Sequence, residues 1–436
     1  MYPLPSITPR PRSTPSGCTA IIWHVTTLDR SNEMLARPIR SLILIWLAWS
    51  IILIGYIHIA SMRYAPSRPD DSLVWTAGET GRRSLANKPY LLDSFLNPLV
   101  AWDSEYYLSV SIAGYDDPTM RTFADDDGTE YALSYAFFPF YPALMSVVRL
   151  PFVALGLTPI GASTAAGVLI SLLGTLAGLI ALYDIVRAEL GDDGAIRTAF
   201  MLLIFPTSLF LAVVYTEGLF IGLAFSSLAL MRRKQLLVAA ILAVLATWTR
   251  AVGGALIVPL LFAWFASYRT ADNKGGALLR LPLVALPALA YLVWRAIYGV
   301  PFEIVEVGFF GNSVLALSRT VDAWTQILER ARANPQTAVV VAMNIGGVAL
   351  ALLSIPLALR RYPGLALFGL IALAIPLTGG WTGTQSAFRY VLVVPTLWIM
   401  LGRWSRSVVF DRAWALLSIL LLAMLAFLFA FDFWVA

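Results

Sequence analysis

Long apolar stretches alternate with short polar ones along the whole chain. A bilayer crossing takes roughly 20 mostly apolar residues. Residues 41–60 (SLILIWLAWSIILIGYIHIA) supply the first such stretch and 414–431 the last. Between them lie 163–186, 198–215, 217–231, 236–250, 252–268, 281–298, 337–358, 364–378 and 390–402. The pattern predicts an all-α polytopic membrane protein of about eleven transmembrane helices. The segment 138–156 (FPFYPALMSVVRLPFVALG) is apolar too, but Pro139, Pro142, Pro151 and Arg149 argue against a plain lipid-facing span. It reads as an interfacial or re-entrant helix.

Composition agrees. Of 436 residues 59% are hydrophobic and 13% charged, about half the charge of a soluble protein. A soluble surface cannot be built from so few charges, and one cysteine, Cys18, excludes a disulfide scaffold. The formal charge is +5, and only three of the 31 basic residues are lysine. With 138–156 not crossing, the basic loops (Arg187/Arg197, Arg232 to Lys234, Arg269/Lys274/Arg280, Arg360/Arg361 and Arg403/Arg406/Arg412) fall on one side, which the positive-inside rule makes the cytoplasm. The positive charge is then topological, and no nucleic-acid partner is expected. Residues 1–40 are rich in Pro and Ser at their start, carry five arginines and lack the h-region of a secretory signal. They read as a disordered cytoplasmic tail ahead of one transmembrane domain, 41–436, with the C-terminus outside. The Arg-rich, Lys-poor bias suits the plasma membrane of a GC-rich prokaryote better than an endoplasmic reticulum.

Polar residues concentrate in the first outward loop, 62–136, where twelve acids face six basic residues. A second outward loop, 299–336, holds Glu303, Glu306 and Asp322. In the first, Trp102-Asp103-Ser104-Glu105-Tyr106-Tyr107 surrounds carboxylates with rings. A carboxylate beside apolar rings is partly desolvated, which favours its protonated form and suits it to base work. The rings can stack on a sugar, or can simply form an interfacial aromatic belt. Glu217, Arg250 and Arg389 lie at the ends of apolar stretches on the same side as the acidic loop. Ionisable groups at membrane depth are functional candidates, snorkelling being the alternative for each arginine. Paired arginines suit a lipid-linked phosphate, because guanidinium grips phosphate through two hydrogen bonds. Asp125 to Asp127 with Gly128 lack the alternating spacing of a calcium loop and read as a solvated turn. His58, inside the first stretch, reads as a packed or hydrogen-bonded helix residue. No cofactor and no metal site are expected.

Several of these residues fall in a recognisable order. Trp102-Asp103, Tyr107, Gly114-Tyr115 and Phe137-Phe138-Pro139-Phe140-Tyr141-Pro142 resemble the first-loop signature of the PIG-V-like mannosyltransferases, the family of GPI mannosyltransferase 2 and its prokaryotic relatives. Phe205-Pro206-Thr207-Ser208, Tyr215 to Phe220, Arg250 with Gly253-Gly254, and Arg389-Tyr390 with Pro395 continue the match. The resemblance implies a GT-C glycosyltransferase fold with a long first extracytoplasmic loop carrying interfacial helices. It implies an inverting enzyme that moves a sugar, mannose in this family, from a polyprenyl- or dolichyl-phosphate donor to a hydroxyl of a lipid-linked or cell-surface acceptor. Carried over by position, Asp103 is the base; Glu217 completes the catalytic set by orienting an arginine or the acceptor. Arg250 and Arg389 bind the donor phosphate. Trp102, Glu105, Tyr106, Tyr107, Tyr141, Tyr215 and Tyr390 contact substrate. Two departures bear on the acceptor: Gly218 stands where serine is common, and Ala251-Val252 replace Ser-Asn. The rival reading is a transporter or flippase of lipid-linked sugars, with the same charges lining a pathway. It predicts charges near the membrane midplane rather than at one face.

Overall fold

The computed structural model describes residues 18–64, 95–118, 120–431 and 433–435, with side chains from 37 onward save Thr382. The acids Asp70, Asp71, Glu79 and Asp93 of the first loop lie outside the described residues. Helix α1 (Cys18–Arg63) begins well inside the segment expected to be disordered, so the tail is helical from Cys18. In the first loop come α2 (Ser104–Ala113) and a hairpin of β1 (Thr122–Ala124) and β2 (Glu130–Ala132). The all-α expectation therefore misses one small sheet. Asp125 closes the hairpin turn, its Oδ1 accepting from the backbone N–H of Asp127 at 3.0 Å and Thr129 at 2.8 Å. Next are α3 (Phe140–Val148) and α4 (Leu150–Ala154), which meet at Arg149 just before Pro151.

Further helices are α5 (Pro159–Leu203), α6 (Glu217–Arg232), α7 (Leu236–Thr249), α8 (Ile257–Thr270), α9 (Pro282–Glu303), α10 (Leu317–Ala333), α11 (Pro335–Leu359), α12 (Pro363–Leu377), α13 (Ala387–Tyr390), α14 (Pro395–Trp404) and α15 (Val408–Ala430), with single short turns at Lys274–Leu278 and Thr382–Gln385. Among the described residues, six helical stretches are long and apolar enough to cross a membrane: Arg37–Arg63, Pro159–Leu203, Ala251–Thr270, Lys274–Phe309, Pro335–Leu359 and Val408–Ala430. They make the chain an integral membrane protein. Their outer faces stay apolar, with Ile52 and Ile59 of α1 and Leu416 and Leu420 of α15 all exposed, as a lipid-facing surface requires.

Not every apolar stretch becomes a membrane-length helix. The expected span 198–215 stops as α-helix at Leu203, and 206–211 is a 3₁₀ turn. Pro206 lacks an N–H and pushes Phe205 into extended geometry (φ −59°, ψ 142°). The stretch 390–402 divides in the same way, with Val394 extended (φ −89°, ψ 98°) before Pro395. Both segments are enclosed by protein: Phe205 to Tyr215 and Val391 to Leu401 are buried. The expected loop 187–197 is a helical corner in α5, broken at Gly191, whose φ of 71° is open to a residue without Cβ. Likewise 299–336 is largely helical, through the end of α9, a π-turn at Ile304–Phe309, and α10.

Helices α5 and α6 approach closely through small residues. A Cβ on Gly218 would lie 2.3 Å from the Ser171 carbonyl oxygen, so the departure from serine here is enforced by backbone contact. Far from this contact, at the other end of α6, arginines gather around two acids. Asp184 pairs with Arg233 (2.7 Å) and Arg187 (3.4 Å), and Glu189 with Arg403 (2.6 Å) and Arg361 (3.3 Å). His58 is buried in α1 with its ring nitrogens 2.7 Å from the Ile54 and 2.6 Å from the Phe95 carbonyl oxygens.

Candidate active site

The approach to Asp103 is fixed by the backbone. Val214 N–H donates to the Leu99 carbonyl at 3.2 Å, and Ser104 Oγ donates to the Val214 carbonyl at 2.9 Å. Asp103 N–H reaches Tyr215 Oη at 3.3 Å. Between these ties Trp102 sits at φ 55°, a left-handed conformation that costs a bulky residue about 1–3 kcal/mol. The indole is held by donation from Nε1 to the Phe433 carbonyl at 3.3 Å and by an edge contact with Trp434 at 4.7 Å. Asp103 occupies the N-cap of α2, yet its carboxylate caps no N–H. It points instead to an arginine from the far end of the chain.

That arginine is Arg389. Its Nη1 lies 3.0 Å from Asp103 Oδ2, and its Nε lies 3.3 Å from Glu217 Oε1. Glu217, the first residue of α6, also pairs with Arg250, which caps the C-terminus of α7 and donates to Thr216 Oγ1 at 3.0 Å. The result is a chain of four charges, Asp103–Arg389–Glu217–Arg250, neutral in sum. Phe210 and Tyr215 lie 5.2 Å from the Arg389 guanidinium, and Tyr390 lies 5.5 Å from it and 5.2 Å from that of Arg250. Contacts of this kind suit desolvated guanidinium. Exposure separates the two carboxylates: the Glu217 side chain is 1% exposed and that of Asp103 25%. Only Asp103 can meet a substrate without rearrangement of the core.

The electrostatics are those of a buried, compensated set. Burial alone would push the Arg389 guanidinium down; Asp103 and Glu217 outweigh it and hold it well above the ordinary arginine value. Burial, reinforced by the Asp103 charge, pushes the Tyr107 phenol well above its usual range, so Tyr107 serves as a neutral donor and not a base. Hydrogen-bonding capacity is left over. Glu217 Oε2 and Arg389 Nε are buried without a hydrogen-bond partner among the described residues, the 3.3 Å ion pair being poorly aligned.

Of the residues singled out from the sequence, Asp103, Glu217, Arg250, Arg389, Tyr215 and Tyr390 come together here. Tyr107 and Tyr141 form the adjoining wall: Tyr107 Oη lies 3.5 Å from Thr216 Oγ1, the two rings meet edge-on at 5.2 Å, and Tyr141 Oη donates to the Gly167 carbonyl at 3.0 Å. Tyr106 does not join them. It stacks on Phe137 at 4.5 Å in a separate apolar cluster with Leu133 and Val305. Glu105 supplies none of the ion pairs of the charge chain. The Trp102 ring is buried, its indole held by the Phe433 carbonyl and Trp434. Sequence reasoning missed Asn344 of α11, buried to 1%. Its Oδ1 accepts from Phe388 N–H at 2.8 Å and its Nδ2 donates to the Thr384 carbonyl at 3.3 Å, which fixes the turn bearing Arg389. The signal was available, since Asn344 is the one amide in the apolar run 337–358.

Comparison with known proteins adds to this geometry. Among curated proteins no match is found. Among solved structures, the chain is similar to ArnT from Cupriavidus metallidurans bound to undecaprenyl phosphate (17% identity, TM-score 0.40, 74% of this chain and 60% of that one). It is also similar to the Archaeoglobus fulgidus oligosaccharyltransferase in complex with Zn and sulfate (20% identity, TM-score 0.42, 77% of this chain and 49% of that one). The chain thus spans about half to three-fifths of the length of these structures. Residues 81–270 match the family described as Mannosyltransferase (PIG-V). The matched segment carries Asp103, Glu217 and Arg250, and over it the chain is similar to the PIG-V mannosyltransferases.

Proposed function

We propose that this protein is an inverting GT-C glycosyltransferase that moves mannose from a polyprenyl- or dolichyl-phosphate donor to a hydroxyl of a lipid-linked or cell-surface acceptor, at the outer face of the membrane. The observation that carries the reading is the 3.0 Å pair between Asp103, the more accessible carboxylate of the charge chain, and the buried Arg389. It sets a base next to a phosphate ligand. The arginine clusters at Asp184 and Glu189 occupy the opposite end of α6 from Glu217, and the positive-inside rule then directs the site outward.

In the proposed reaction the acceptor oxygen attacks the anomeric carbon from the face opposite the phosphate. The bond from that carbon to the phosphate oxygen breaks, its electron pair stays on the phosphate, and the acceptor proton passes to Asp103. Inversion follows from the single displacement. Charge accounts for the pairing of base and arginine. The donor phosphodiester carries one negative charge and the departing polyprenyl phosphate two, while Asp103 becomes neutral. Arg389 thus loses its carboxylate partner as the phosphate gains charge, and its guanidinium passes from one to the other. Glu217 is a positioning residue, holding both arginines in place.

The test is incubation of the purified protein with radiolabelled polyprenyl-phosphate mannose and a lipid extract. Label on a new lipid or glycan is the expected result; uptake into sealed vesicles without transfer would establish a transporter instead.

A further inference from the structure

The charge chain leaves one neighbouring carboxylate unused. Helix α9 runs into a π-turn at Ile304–Phe309, which carries Glu306. Such turns are rare and re-aim side chains. Two anchors hold this one. On one side Val305 is fully buried against Tyr106, one helical turn beyond Asp103, and Phe310 meets the same Tyr106 ring at 6.2 Å. On the other, Asn312 pairs with Gly380, and Ser313 N–H donates to the Gly379 carbonyl at 2.9 Å, on the stretch that leads to Arg389. Glu306 therefore lies between α2, which follows Asp103 directly, and the stretch that leads to Arg389.

Its environment differs from that of Glu217. Asn312 Nδ2 donates to Oε1 at 3.2 Å; Oε2 has no hydrogen bond, and no arginine or lysine pairs with Glu306 among the described residues. The side chain is half-buried, so it remains within reach. An uncompensated carboxylate beside a second one repels a phosphate and favours a neutral hydroxyl donor.

We propose that Glu306 is the acceptor-side binding residue of this site, accepting a hydrogen bond from a hydroxyl adjacent to the one that Asp103 deprotonates, so that the acceptor is a sugar or other polyol and not a lone hydroxyl. This rests on the glycosyltransferase reading. The test uses the full-length purified chain, radiolabelled polyprenyl-phosphate mannose and two probe acceptors, octyl mannoside and a serine-containing peptide. Wild type should transfer to octyl mannoside. Glu306→Gln should raise the KM for octyl mannoside about tenfold or more, with kcat and the donor KM unchanged, and Glu306→Asp should recover part of the loss. Should Glu306→Gln fail to assemble, Glu306→Asp alone must show a smaller rise confined to the acceptor KM. Transfer to the peptide but not to octyl mannoside, an unchanged acceptor KM, or a shift in the donor KM instead would overturn the inference while leaving the enzyme reading intact. Transfer to a lipid extract but to neither probe acceptor would overturn the inference alone, and absence of transfer to all three would remove both.

Discussion

Glu217 is held between two guanidinium groups where water cannot replace it, and this makes its removal a quantitative test of the charge chain. Its side chain is 1% exposed, those of Arg389 and Arg250 are 6% and 14% exposed, and Arg389 Nε lies 3.3 Å from Oε1. Two unit charges at that distance attract by about 5 kcal/mol at an effective dielectric constant of ~20. Glu217→Gln keeps the shape but leaves two buried cations facing one carboxylate, a change that costs about 3–5 kcal/mol where a buried pair is broken. Arg250→Gln should cost a similar amount by leaving Glu217 undercompensated. The double variant restores neutrality, so its cost should fall short of the sum of the singles by up to about 3 kcal/mol. Unfolding of the four proteins by SDS titration in mixed micelles gives the cycle directly. Strict additivity, or single variants as stable as wild type, would refute the claim that these charges are desolvated and coupled.

Two further predictions follow from the same geometry. Arg389→Lys retains the charge near Asp103 but loses the planar two-pronged grip; kcat/KM for the polyprenyl-phosphate donor should fall about tenfold or more, measured by donor titration at saturating acceptor, and an unchanged value would release Arg389 from phosphate binding. Asn344→Ala removes both ties to the turn carrying Arg389 and should destabilise the protein by about 1–3 kcal/mol, with donor KM rising ahead of acceptor KM; equal effects on both would mean that the turn is not positioned from α11.

Of about eleven expected spans, hydropathy located the six helical stretches among the described residues that are long and apolar enough to cross a membrane, because lipid-facing surfaces must be apolar at every depth. It failed where apolar residues are buried in protein instead. The runs 198–215 and 390–402 have the composition of spans, but Pro206 and Pro395 interrupt them and their neighbours enclose them. Apolarity alone does not distinguish lipid from protein as the surrounding medium. The chemistry-bearing residues were legible as types, since Asp103, Glu217, Arg250 and Arg389 are ionisable groups bordering apolar stretches. Their pairing was not, because Arg389 meets Asp103 across 286 positions and no local pattern encodes such a contact. Adjacent residues diverge for a related reason: Tyr106 and Tyr107 sit one helical step apart, so one stacks on Phe137 and meets Phe310 while the other touches Phe137 edge-on and reaches Thr216.

The central claim is that Asp103 takes the acceptor proton, and the most direct measurement compares single-turnover transfer by Asp103→Asn and wild type, with membrane insertion of both checked by yield and thermal unfolding. General-base assistance is worth about 10²–10⁴ in rate, so the variant should insert normally, still bind the polyprenyl-phosphate donor, and transfer more slowly by that factor. Transfer at the wild-type rate would contradict the assignment.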